Sequence, residues 1–128
     1  MHRPIGYWLK EIDRRIEADF ARLLAAERLT RRHWQVLNTL ASGESDIEAA
    51  LAPFRSAAEP TMAPVLADLA ARGWVDGTTL TADGRRAHAD LAERVQASRL
   101  RLTEGISAEE YATVLAVLER MAGNLGRA

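Results

Sequence analysis

At 128 residues and a formal net charge of −1, the chain is long enough for one domain with a real core, and its overall charge does not favour a polyanionic partner; any contact with nucleic acid must come from local patches. The absence of cysteine excludes disulfides, thiolate metal sites and a cysteine nucleophile. No apolar run approaches membrane-spanning length, and Met1-His2-Arg3-Pro4 is not followed by a signal-peptide core, which predicts a soluble cytoplasmic protein with no membrane partner.

Ala, Leu, Arg and Glu are abundant and strand-favouring residues few, so helix should dominate. The first helix is expected over Ile5 to Glu27, where Ile5, Trp8, Leu9, Ile12, Ile16, Phe20, Leu23 and Leu24 recur at helical spacing. Thr30 announces a second helix that carries Trp34, Leu37, Leu40 and Ala41 inward and ends at Ser42-Gly43. Ser45 and Glu48 read as a capping box for a short third helix through Ile47, Leu51 and Phe54. Pro64 lacks an N–H and is harmless only in a first turn, so the next helix is started with Thr61 as its N-cap, and Val65, Leu66 and Leu69 form its inner face. From Arg72 to Leu91 the chain reads as a helix end, two very short strands and a new helix, the layout of a wing. Gly73 supplies the helix cap, Trp74 and Val75 open a hairpin, and Asp76-Gly77 is its turn, because a tight hairpin needs a positive φ that glycine adopts cheaply. Leu80 lies on the return strand and Thr81 caps a fifth helix, which runs from about Ala82 to Thr103 with Leu91, Val95 and Leu102 on one side. Gly105 breaks it. Ser107 and Glu110 make a second capping box, and Tyr111, Val114, Leu115, Leu118, Met121 and Leu125 stripe the last helix.

This order, with LTRRHWQVLNTLAS, then Leu66, Leu69, Gly73 and Val75, then Leu80, Thr81, Gly84 and Arg85, resembles the MarR family of winged-helix transcription regulators over essentially the whole chain. The opening RPIGYWLKEIDRRIEADFARLL looks like the actinobacterial branch of that family. The resemblance implies a mainly α single domain over residues 1–128: a winged helix-turn-helix with a small two-stranded β-wing at about 29–81, and long N- and C-terminal dimerisation helices at about 5–27 and 82–126. It makes Thr61 to Arg72 the recognition helix and Trp74 to Thr81 the wing, and it implies an obligate homodimer on duplex DNA that responds to a small-molecule effector. The broad stripes of the terminal helices support a dimer independently, with Ile12, Ile16, Leu118 and Leu125 as interface residues, since a domain this small has little core left to cover both.

The sequence departs from the family pattern where DNA would be read. Pro64 stands where arginine is frequent, the wing is short, and from Ser56 to Gly84 the only basic residue is Arg72, against Glu59, Asp68, Asp76 and Asp83. Thr61 and Met62 could face base edges while Arg31, Arg32, Arg55, Arg85 and Arg86 hold phosphates; alternatively those five arginines are solvated surface residues. Tyr7, Trp8, His33 and Trp34 could line an effector pocket, the other reading being that both tryptophans are core and His33 is exposed. His2, His33 and His88 lack ligand spacing, and no nucleophile elbow, phosphate loop or convergent catalytic set is present, so neither a metal, a cofactor nor an enzyme is expected. Two functions stay open: a sequence-specific dimeric DNA-binding regulator, or a dimer of the same fold with weakened DNA affinity that serves as a small-molecule-binding or protein-interaction module.

Overall fold

A computed structural model describes residues 2–127; Met1 and Ala128, the ends of the expected single domain, lie outside the described residues. The chain divides at Gln96 into two compact units. The first holds α1 (Ile5–Leu24), a 3-10 turn (Ala25–Glu27), α2 (Arg31–Ala41), α3 (Ile47–Ala50), a second 3-10 turn (Ala52–Phe54), α4 (Ala63–Ala71), β1 (Val75–Asp76), β2 (Thr79–Leu80) and α5 (Ala82–Leu102) as far as Gln96. The second holds the end of α5 and α6 (Ala108–Gly126).

The core of the first unit centres on Leu24, Val36, Leu37, Met62 and Leu69, all fully buried, so α1, α2 and α4 meet around one cluster. Val65 of α4 adds to it, and Leu29, Ile47, Leu51, Val75, Leu80 and Leu91 close it from other parts of the chain. Ile16, expected at a dimer interface, packs partly buried against this core, whereas Ile12 is exposed. Trp8, considered as a core residue, is 50% exposed, because it lies on the part of α1 that precedes the first buried position at Phe20.

Local chemistry fixes the helix ends. Thr30 and His33 form the capping box of α2, the Thr30 backbone N–H donating to His33 Nδ1 at 3.1 Å. The expected Ser45/Glu48 box does not form. Asp46 caps α3 by accepting from the Ala49 N–H at 3.2 Å, and Glu48 reaches instead to the start of α4, where its carboxylate accepts from the Met62 N–H at 2.9 Å. The α4 helix begins one residue later than expected, with Met62 at the N-cap and Pro64 harmless in the first turn. The two strands pair antiparallel with Val75 opposite Leu80 and Asp76 opposite Thr79, and Gly77 takes φ +64° in the turn between them. Thr81 ends the hairpin and starts α5. Its N–H donates to the Trp74 carbonyl at 3.0 Å, its hydroxyl donates to the Gly73 carbonyl at 2.6 Å and accepts from the Gly84 N–H at 3.0 Å.

In the second unit Gly105 turns the chain at φ +76°, and the Ser107/Glu110 box starts α6. Arg99 joins its two helices, lying 5.3 Å from the Tyr111 ring centroid and donating to the phenol oxygen at 3.3 Å. No residue of α6 is buried: Val114, Leu115 and Met121 are exposed and Leu125 is 89% exposed.

Candidate nucleic-acid interface

The α3 to α4 segment and the hairpin form a helix-turn-helix followed by a wing, and the side chains assigned to DNA fall into three groups. Met62 leaves the set of base-facing residues. The side chain is fully buried, since an N-cap one position later than expected turns it back into the core beside Val65 and Leu69. Its spacing to Val65, Leu66 and Leu69, at i+3, i+4 and i+7, carries that signal in the sequence. Thr61 is exposed, as are Ala63, Pro64 and Ala67 along the outer side of α4.

Arg31 and Arg32 are neither phosphate-facing nor solvated. Their side chains are 10% and 9% exposed. Arg31 donates to Asp13 at 2.8 Å and to Glu17 at 3.2 Å; Arg32 pairs with Glu17, lies 3.8 Å from Glu59 and bonds Gln35. Both guanidinium groups sit over Phe54, at 5.2 and 4.9 Å from its centroid. Desolvating a charge is costly unless it is paired, and here carboxylates from α1 and from the loop before α4 supply the pairing. The α1 partners are 14 to 18 positions away from Arg31 along the chain, and Glu59 is farther still, beyond the reach of helical spacing.

Arg55, Arg85 and Arg86 are exposed. Arg86 pairs with Asp83, one turn earlier on α5. Arg85 donates from Nη1 to the Leu80 carbonyl at 3.0 Å, which holds the guanidinium beside the wing. Arg55 has no ion-pair partner among the described residues, so Arg55 and Arg85 are the arginines of this set without a carboxylate.

Asp68 is the acid on α4, and its charge is answered within the protein. Arg72 Nε donates to it at 3.0 Å and His33 Nε2 lies 2.9 Å from the same oxygen. The Arg72 hydrogen bond first, and the His33 bond second, hold its carboxyl below the usual carboxylate range. Because His33 Nδ1 accepts from Thr30, the neutral tautomer protonated on Nε2 fits both bonds. His33 is thus buried rather than exposed, a link between the α2 start and α4.

The four residues assigned to an effector pocket do not assemble into one. Tyr7 and Trp8 stack edge to face on α1 at 5.0 Å, His33 is committed to Thr30 and Asp68, and Trp34 lies flat against His88 at 5.1 Å. His33 does line a shallow hollow, with Arg28, Pro64, Val65, Asp68 and Arg72. A second hollow of about 620 Å³ opens between the end of α2, the wing and α5, lined by Leu40, Ala41, Gly43, Ser45, Thr78, Thr79, Leu80, Arg85 and His88. Among the described residues no group of three or more histidine or acid side chains is placed to hold a metal ion, and no helix is long and apolar enough to cross a membrane.

A family model described as a winged helix DNA-binding domain matches residues 29–94, just over half of the chain. A MarR-family transcriptional regulator from Silicibacter pomeroyi superposes with a TM-score of 0.75 at 22% identity, covering 96% of this chain and 90% of that one. BpsR from Bordetella bronchiseptica, whose DNA binding is regulated by 6-hydroxynicotinic acid, gives 0.74 at 22% identity over 95% and 96% of the two chains. A mutant of MarR from E. coli gives 0.69 at 18% identity over 95% and 98%. No curated protein matches the chain. The structural likeness is one of fold: mainly helical, with a two-stranded wing and long terminal helices.

Proposed function

Because the chain belongs to the winged helix DNA-binding domain family, we propose that it is a cytoplasmic MarR-type transcription regulator, not an enzyme, that binds duplex DNA as a homodimer and answers to a small molecule. The observation that carries this reading is the α3–α4 helix-turn-helix and wing flanked by Arg55 and Arg85, the two exposed arginines of the set without carboxylate partners. Each protomer would lay α4 in a major groove, with Thr61 at base edges and Arg55 and Arg85 on phosphates. The pairing of Asp68 with Arg72 and His33 supports it further, since the acid on α4 is already compensated. Response to a small molecule rests on the likeness to the Bordetella regulator.

A second reading, an interaction module with little DNA affinity, is favoured by one observation. Arg31, Arg32 and Arg72 are committed to carboxylates, which leaves few charges for phosphates, the main source of non-specific affinity. Selection of bound fragments from genomic DNA, at low and at physiological salt, separates the two. The regulator should enrich pseudo-palindromic fragments. Arg55→Ala and Arg85→Ala should weaken all sequences alike, each lowering the magnitude of the salt slope by about one. Thr61→Ala should change sequence preference more than salt dependence, and Pro64→Arg should raise affinity. Failure to bind any fragment at low salt, with Pro64→Arg equally inert, selects the interaction module.

A further inference from the structure

We propose that Arg28 is a further contact to the DNA backbone, held by the turn between α1 and α2 against α4 so that its guanidinium meets a phosphate at the flank of the groove; this rests on the DNA-binding reading above. Among the described residues Arg28 is the one non-glycine residue with a positive φ, at φ 58° and ψ 36°, the left-handed region. A side chain there crowds its own backbone, whereas glycine, and to a lesser degree asparagine, takes the conformation cheaply. The turn needs that conformation. It closes the 3-10 turn, with the Arg28 N–H donating to the Ala25 carbonyl at 3.0 Å, and brings the buried Leu29 back so that its N–H donates to the Leu24 carbonyl at 3.2 Å. It does not need an arginine. Arg28 is exposed, and among the described residues its guanidinium has no ion-pair or hydrogen-bond partner. A strained position that keeps a long cation unused by the fold has its partner outside the protein.

The surroundings give the chemistry of that partner. Arg28 lines the hollow along the side of α4 with His33, Pro64, Val65, Asp68 and Arg72. Pro64 belongs to the exposed outer side of the helix, so Arg28 stands beside the surface that would enter the groove. Asp68 is taken up by Arg72 and His33, which leaves the charge of Arg28 unanswered. The same Arg72 ties the turn to α4, its Nη2 donating to the Arg28 carbonyl at 3.4 Å.

An exposed guanidinium with its donors free suits the oxygens of a phosphodiester. One exposed cation gains little from a small anion in water, so free phosphate has no hold here. A duplex docked on α4 brings the phosphate to the arginine and releases its counter-ions. Arg28 thereby joins Arg55 and Arg85 in supplying the positive charge that Arg31, Arg32 and Arg72 spend on carboxylates.

The test measures the affinity of the full chain for a fragment selected from genomic DNA over a series of chloride concentrations. Arg28→Gly and Arg28→Asn remove the charge and relieve the backbone together. Each should weaken binding about ten-fold at physiological salt and lower the magnitude of the salt slope by about one for each protomer, with sequence preference unchanged. Both should melt at or above the native temperature, because the left-handed position suits them better. Arg28→Lys keeps the charge and should keep the slope. Affinity that falls while stability holds or rises is the reverse of what loss of a structural arginine gives. The proposal is overturned if Arg28→Gly and Arg28→Asn keep the native slope, if both melt below the native protein, or if Arg28→Lys loses as much slope as they do. Replacing chloride by inorganic phosphate at equal ionic strength should displace DNA equally from native and Arg28→Gly protein; a larger displacement from the native protein makes Arg28 a free-anion site and overturns the contact. A native chain that binds no fragment sinks the regulator and this contact together, whereas native binding with Arg28→Gly unchanged sinks the contact alone.

Discussion

Gly84 meets the backbone of the wing: a β-carbon at that position would lie 1.9 Å from the Trp74 carbonyl oxygen. Gly84→Ala gains helix propensity worth up to about 1 kcal/mol, but overpacking against backbone costs about 1–3 kcal/mol, and the collision should win. A melting temperature lower by several degrees is expected, and an unchanged or raised one would show that the hairpin shifts freely. His88 sets a pH dependence. Burial holds its pKa below the ordinary 6.5, so the unfolded chain takes up the proton first. The stability from the neutral ring is therefore fully present above that value and is lost as pH falls below it. Thermal melts between about pH 7 and pH 5.5 should show a fall that is smaller in His88→Gln; equal falls would acquit His88. Asp68 and Glu27, held below the usual carboxylate range by Arg72 and Arg94, yield only at more acid pH and leave that window clear. Gly84 was legible in the sequence as part of a motif. The half-buried environment of His88 was not, because Trp34 and Asn38 lie about 50 positions away on α2.

Among the elements, the caps show how far local rules reach. Thr30, Thr81 and the Ser107/Glu110 pair act where the sequence places them, because the helix-capping bond of each closes within three residues. Ser45/Glu48 fits the same pattern and fails, because Glu48 has a better use 14 positions away. Its carboxylate is the acceptor for the N–H of Met62, whose side chain is fully buried, and so it fixes the start of α4 against α3. Glu48→Ala leaves that N–H without its partner, and a loss of about 1–3 kcal/mol in urea denaturation is expected. Glu48→Gln retains an amide oxygen as acceptor and should recover part of it. A loss equal in both variants would place the effect in the charge rather than in the hydrogen bond. The one-residue offset at the start of α4 has the same origin: the tertiary acceptor decides where the helix begins, and with it whether Met62 faces DNA or the core.

At the scale of the whole molecule, large apolar side chains stand exposed on two helices. Ile5, Trp8, Leu9 and Ile12 on α1, and Val114, Leu115, Met121 and Leu125 on α6, are all exposed in the single chain. Large apolar side chains exposed along a helix mark an association site. The homodimer we propose would cover both helices, and the structure refines where to test it. Ile16→Asp would damage the protomer's own core, so Ile12→Asp combined with Leu115→Asp is the cleaner change. Light scattering should report monomers with native helix content, because unpaired charge in an apolar seam is costly; an unchanged dimer would remove these helices from the interface. The stripes themselves were legible in the sequence. Which of their residues turn to the protomer's own core was not, since Ile12 and Ile16 occupy the same periodic pattern.

The contact between Gly84 and Trp74 also limits reach. With α5 pressed on the hairpin base, only Val75 to Leu80 project beyond it, and at about 3.3 Å per residue the tip stands about 10 Å from that anchor. An arm so short sweeps little space when it flexes. Whatever the wing touches must be carried to it by the motion of the protomer as a body.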